Sequence, residues 1–70
     1  MLYMEIFAER VKSLREENNL SMIALAKELK VSTASIYRWE NCQAEIKAGQ
    51  LILLAKFFNV STDYLLGLEN

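Results

Sequence analysis

Apolar residues recur at helical rather than strand spacing along the whole chain. Phe7, Val11 and Leu14 step along one face, with Tyr3 one turn earlier, and predict a first helix from about Met4 to Asn18 that ends at Asn18-Asn19. Leu25, Ala26 and Leu29 make the stripe of a second helix, which Ser21 is placed to cap. Lys30-Val31 reads as a turn. Ser32 then caps a third helix from Thr33 to about Asn41, turned inward through Ile36 and partly through Trp39. Residues 42–47 read as loop. A fourth helix is predicted over 48–58, with Ala48, Leu51, Ala55 and Phe58 on one face. Asn59-Val60 is a turn, Ser61 caps a short fifth helix carrying Tyr64, Leu65 and Leu66, and Gly67 closes it in the position after the last turn. No apolar–polar alternation of the strand kind appears, and Pro is absent while Gly occurs twice.

Five short helices with tight connections imply an all-α, compact five-helix orthogonal bundle, expected as a single domain over residues 1–70. The second and third helices are about three residues apart. That is the spacing of a helix-turn-helix, here over about 22–41, which leaves its second member free to enter the major groove of duplex DNA.

Composition narrows the picture. Seventy residues bury only a modest core, so stability of a few kcal/mol is expected. One Cys and no His exclude an internal disulfide and leave Cys42 unable to build a zinc site alone, so no metal and no cofactor are expected. An apolar content of 53% argues against disorder. Residues 1–7 lack a basic segment and contain Glu5, which is unlike a secretory signal, and the apolar run over 51–60 is broken by Lys56 and Asn59, too short for a bilayer. A cytoplasmic bacterial location is the expectation, phage or plasmid origin included. Eight basic residues against nine acidic ones give a net charge of −1, so any nucleic-acid surface must arise from asymmetry.

From Phe7 to Leu68 the chain resembles the Cro/C1-type (xenobiotic-response-element-like) helix-turn-helix family of phage-repressor-like domains. The resemblance is carried by Arg10-Val11-Lys12-Ser13-Leu14-Arg15, Leu20-Ser21 and Leu25-Ala26-Lys27-Glu28-Leu29. It continues through Val31-Ser32, Ser35-Ile36-Tyr37-Arg38-Trp39-Glu40-Asn41, Leu54-Ala55-Lys56, and Asn59-Val60-Ser61-Thr62-Asp63-Tyr64-Leu65-Leu66-Gly67. It implies a lambda-repressor-like fold and binding to double-stranded DNA, as a homodimer on operator half-sites.

With Ile36 inward, Ala34 and Arg38 point about 160° and 200° away, and Tyr37 and Asn41 about 100° and 140°. The resemblance places base contacts at Thr33, Ala34 and Arg38, with Tyr37 nearby. An Arg38 guanidinium suits guanine O6/N7, and an Ala34 methyl suits a thymine methyl. The plainer alternative is a solvated helix face. Phosphate contacts are expected at the helix N-termini headed by Ser21 and Ser32, at Asn41 and Gln43 by family position, and at Lys27, Lys30 and Lys47 by charge. Capping alone would also explain both serines. The resemblance further implies an ion pair between Arg10 and Glu40, locking the third helix to the first, whose loss through Arg10→Ala would cost several kcal/mol.

Departures from the family pattern matter. Met22 stands where a phosphate-binding Gln is usual, and Ile23 beside it is apolar. Lys30 and Cys42 replace glycines, so a left-handed backbone at Lys30 would cost about 1 kcal/mol. Cys42 as a redox switch stands against the reading of an incidental loop thiol. Ile46 replaces a common Pro. With Ala55 inward, Leu53 and Phe57 lie about 160° and 200° away, and with Ile46 they are expected to form a dimer or partner face unless residues 1–3 or the chain end fold over it. Two function classes therefore stand: a dimeric DNA-binding repressor, and a protein-interaction module such as an antirepressor on the same scaffold. An enzyme is not expected, given no His, one Asp and no phosphate-cradling Gly-rich loop, and no small-molecule ligand is implied.

Overall fold

A computed structural model describes residues 3–69 and contains five helices: α1 (Tyr3–Glu17), α2 (Met22–Leu29), α3 (Thr33–Glu40), α4 (Ala48–Phe58) and α5 (Thr62–Leu66). Met1, Leu2 and Asn70 lie outside the described residues. The helix starts follow the caps. Ser21, Ser32 and Ser61 have extended backbones, and each hydroxyl accepts from the backbone N–H three residues on, at 3.0, 3.1 and 2.9 Å.

All five helices stop by one device. A residue in the left-handed region follows each (Asn19, Lys30, Cys42, Asn59 and Gly67), and only the last is a glycine. The next residue then returns its N–H to a carbonyl five positions back: Leu20 to Arg15, Val31 to Ala26 and Val60 to Ala55 at 3.0 Å, Gln43 to Arg38 and Leu68 to Asp63 at 2.8 Å. Asn tolerates this conformation because its short polar side chain suits it, whereas Lys30 and Cys42 carry the strain of a Cβ there, about 1 kcal/mol each. In the first, second and fourth cases the returning residue (Leu20, Val31, Val60) packs its apolar side chain on the core, whereas Leu68 in the fifth is exposed. The turn thus both satisfies the open carbonyls and seals the bundle.

The core consists of Phe7, Val11, Leu25, Ala26, Leu29, Ile36, Trp39, Leu54, Ala55 and Leu65. α1 packs on α3 and α5, α2 on α3 and α4, and α4 on α5. Phe7 meets Trp39 edge to face at 6.5 Å, fixing α1 behind the inner side of α3. Trp39 is buried more deeply than expected from the sequence.

Three sequence expectations are corrected. Ile46 is half-buried and packs against the core, so it does not join an exposed face with Leu53 and Phe57. Tyr3 is exposed, and so is Ala48, because the inward side of α4 is set by Leu54 and Ala55 together. That direction lies about 50° from Ala55 alone, which turns Ile52 outward. Third, Glu40 pairs with Arg15 and not with Arg10. Arg15 Nε donates to Glu40 Oε2 at 2.7 Å and Nη2 to Oε1 at 3.0 Å, while Nη1 donates to the Leu20 carbonyl at 2.9 Å. Five residues of helix turn a side chain by about 140°, so the two arginines of α1 face different neighbours. Arg10 faces α5 instead. Its guanidinium lies 4.2 Å from the centre of the Tyr64 ring and donates to the Tyr64 carbonyl and, at 2.9 Å, to the Glu69 carbonyl.

Candidate nucleic-acid interface

α2, the tight turn at Lys30 and α3 form a rigid corner. Its inner side is Leu25, Ala26, Leu29, Ile36 and Trp39, all buried. Burying Ile36 and Trp39, three residues apart, leaves the opposite side of α3 in solvent. Thr33, Ala34, Tyr37 and Arg38 are all exposed there, Tyr37 by 50%. Among the described residues the Arg38 side chain has no hydrogen-bond or ion-pair partner, so its guanidinium donors are free for an incoming acceptor.

The α3 termini are held firmly. Ser32 Oγ caps the start and also shares a 3.0 Å hydrogen bond with Ser35 Oγ. At the other end Asn41 Nδ2 donates to the Tyr37 carbonyl at 2.8 Å, and Glu40 is clamped by Arg15. The side chains of that pair are only 11% and 2% exposed. Glu40 is therefore neutralised and removed from the outer surface. The hydrogen bonding of Arg15 to Glu40, with the carboxylate's charge, raises the Arg15 pKa, so the guanidinium stays charged at every working pH.

Around this corner the structure places Lys27, Lys30 and Lys47 in solvent, with Ser21, Ser32, Asn41 and Gln43 also exposed. Glu28 is the nearby exposed carboxylate of α2, and Glu45 hydrogen-bonds Tyr3, raising the phenol's pKa. Four more carboxylates, Glu5, Glu9, Glu16 and Glu17, are exposed on α1, which also carries the exposed Lys12, and Asp63 and Glu69 are exposed on and just after α5. Lys27, Lys30, Arg38 and Lys47 thus outnumber the exposed carboxylates Glu28 and Glu45 around this corner. Ser21 and Ser32 already accept cap bonds, and Ser32 Oγ also shares a hydrogen bond with Ser35 Oγ, but the Ser21 hydroxyl hydrogen and the remaining N–H groups of each first turn stay available to an anion.

Sequence reasoning missed Arg15 as the clamp and Ile52 as a solvent-facing residue. The first was signalled by a second arginine in the same helix motif. The second followed from counting Leu54 into the inward direction. Met22 is half-buried against the core, and Ile23 is exposed. Cys42 is exposed and its thiol points to the Met4 carbonyl at 3.6 Å.

Other chemistry is thinly represented. Among the described residues no group of His, Cys, Asp and Glu is arranged to hold a metal ion, and no helix is long and apolar enough to cross a membrane. An apolar groove of about 220 Å³ lies between the start of α1 and the α3–α4 loop, lined by Tyr3, Phe7, Ile46 and Leu51 among others. It is smaller than the roughly 300–1,000 Å³ typical of ligand pockets.

Comparison with known proteins agrees with this geometry. The sequence model of the helix-turn-helix family matches residues 11–65. The chain is 32% identical over 62 residues to repressor protein C2 of Salmonella phage P22, covering 89% of the chain and 29% of that protein. It is 36% identical over 63 residues to the transcriptional activator BcrR of Enterococcus faecalis, covering 90% and 31%. It is 40% identical over 55 residues to the transcriptional regulator PrpR of Mycobacterium tuberculosis, covering 79% and 11%. The chain therefore spans from about a tenth to under two thirds of the length of the curated relatives it matches. Among solved structures, it superposes on the P22 c2 repressor in complex with a synthetic operator with a TM-score of 0.83 at 32% identity, covering 94% of each chain.

Proposed function

Because this chain belongs to the helix-turn-helix family, we propose that it is a sequence-specific DNA-binding transcriptional regulator, a repressor that binds operator half-sites as a dimer in the bacterial cytoplasm. The observation that carries this reading is Arg38, exposed and unpartnered on the outer side of a helix whose other side is locked by Ile36, Trp39 and the Arg15–Glu40 clamp. Rigidity matters because base reading depends on side chains held in fixed register.

In the proposed complex α3 lies in the major groove. Arg38 donates two guanidinium N–H groups to guanine O6 and N7, Ala34 packs on a thymine methyl, and Thr33 and Tyr37 read neighbouring edges. The N-termini of α2 and α3, with Ser21 and Ser32, receive phosphates, while Asn41, Gln43, Lys27, Lys30 and Lys47 add backbone contacts. The P22 c2 repressor, solved with a synthetic operator, supports this reading through its similar fold. No catalytic step, cofactor or small-molecule ligand is part of it.

Selection of bound duplexes from a random pool tests the proposal. A two-fold symmetric consensus is expected, and its affinity should fall with salt. Three phosphate-bound lysines per subunit imply a log–log slope of about −3 per half-site. Binding without sequence preference or salt dependence would overturn it. A second reading, a protein-interaction module, is favoured by Ile23, which is 58% exposed at the start of α2 where a DNA binder gains from a polar group. It expects no enriched duplex.

A further inference from the structure

The outermost point of α3 is a methyl group. Measured from the direction shared by the buried Ile36 and Trp39, Ala34 lies about 170° away, with Tyr37 and Arg38 about 130° away on opposite flanks. In a helix, long side chains three and four positions on lean back over the turn before them, so Tyr37 and Arg38 rise on either side of Ala34. All three residues are exposed. They form a shallow notch with an apolar floor one methyl wide, an aromatic wall and a guanidinium wall. Asn41, the other residue on the outward line, turns its Nδ2 back to the Tyr37 carbonyl at 2.8 Å. Ser35, beside Arg38, is held by the Ser32 hydroxyl.

We propose that this notch recognises the C5-methyl group of a pyrimidine in the base pair next to the guanine held by Arg38, so that the chain reads 5-methylcytosine as well as thymine there. The contact rests on the DNA-binding reading of α3 and deepens it by joining two side chains on one base step. A guanidinium that donates to guanine O6 and N7 lies in the plane of that base. Stacked bases are about 3.4 Å apart, so a methyl on the neighbouring pair meets the flat face of the guanidinium at van der Waals distance. That face is weakly hydrated and accepts an apolar group. The Ala34 methyl closes the contact from the protein side.

The notch selects the methyl and not the base that carries it. Thymine presents O4, an acceptor, and cytosine presents N4–H2, a donor. Ala34 has no polar side-chain atom to tell them apart, and the Tyr37 hydroxyl donates to the one or accepts from the other. Cytosine without the methyl leaves the apolar floor uncovered. Methylation of cytosine at C5 therefore turns a weak half-site into a strong one, and the modification state of the duplex becomes a signal that this surface reads.

The test starts from the selected duplex and the guanine whose discrimination Arg38→Ala abolishes. Thymine, uracil, 5-methylcytosine and cytosine are placed in turn at the adjoining pyrimidine position, each with its complement, and titrated by fluorescence anisotropy. Thymine and 5-methylcytosine are expected to agree within about twofold, and both to bind about fourfold more tightly than uracil and cytosine, the factor of one buried methyl. Ala34→Gln fills the notch at an exposed position, so it is expected to keep the melting temperature and bring that ratio close to one. Equal binding of thymine and uracil, 5-methylcytosine no better than cytosine, or a ratio that persists in Ala34→Gln would overturn the notch and leave DNA reading by α3 standing. A selection with no enriched duplex, or with no guanine lost in Arg38→Ala, removes the notch together with the reading on which it rests.

Discussion

Arg15→Ala should be among the most damaging single substitutions on this surface. The side chain makes two parallel hydrogen bonds to Glu40 and a third to the Leu20 carbonyl, at 2.7, 3.0 and 2.9 Å. The Glu40 side chain is 2% exposed, so removing the arginine strands a carboxylate that water barely reaches. Breaking such a pair costs about 3–5 kcal/mol. A chain of 70 residues has in total about 4–10 kcal/mol at the usual 0.05–0.15 kcal/mol per residue. Arg15→Ala therefore takes much or most of the folding free energy. Arg10→Ala is the control, because it removes a cation–π contact and two bonds to carbonyls near the surface, about 1–2 kcal/mol together. The double variant Arg15→Met/Glu40→Leu should recover most of the loss, since the penalty lies in the unpaired charge. Urea unfolding followed by far-ultraviolet circular dichroism and by fluorescence of the single, buried Trp39 reads all of these. A cost below about 1 kcal/mol for Arg15→Ala, or a larger cost for Arg10→Ala, would refute the reasoning. The pH behaviour has a definite sign. The Arg15 pKa is raised, chiefly by its hydrogen bond to Glu40, so its contribution is complete below the ordinary arginine range and lost only as pH rises through the folded value.

Two further substitutions probe the helix ends. Lys30→Gly should stabilise the fold by about 1 kcal/mol, because Lys30 sits at φ 57° with a Cβ it does not need; a lower urea midpoint would contradict the turn geometry. Gly67→Ala should cost about 1–2 kcal/mol, since φ is 80° and the new Cβ would stand 2.7 Å from Ile6 Cδ1; an unchanged melting curve would mean that the end of α5 is not held as described.

The fold was legible because its punctuation is local. Ser21, Ser32 and Ser61 announce helix starts, Gly67 announces an end, the apolar steps on α2 and α3 match the buried residues, and on α1 Phe7 and Val11 are buried while Leu14 is half-buried and Tyr3 is exposed. The α4 bounds also match, but its inner face was misaligned because a single reference residue, Ala55, stood for a direction shared with Leu54. The Glu40 partner was not legible for a different reason. Arg10 and Arg15 lie in one motif, and which of them faces α3 depends on where α5 and the chain end settle. The Tyr64 ring and the Glu69 carbonyl engage Arg10, a fact of tertiary packing across more than fifty residues of sequence. The outer face of α3 could be listed from its period alone, because burying Ile36 and Trp39 leaves only one side for Ala34, Tyr37 and Arg38.

The most direct measurement is the binding of Arg38→Ala to the selected operator and to a set of duplexes in which each base pair is changed in turn. Loss of a bidentate guanine contact should weaken the best site by about 1–3 kcal/mol and abolish discrimination at one base-pair position per half-site, leaving the salt slope nearly unchanged. Unaltered discrimination at every position would mean that the exposed side of α3 does not read DNA.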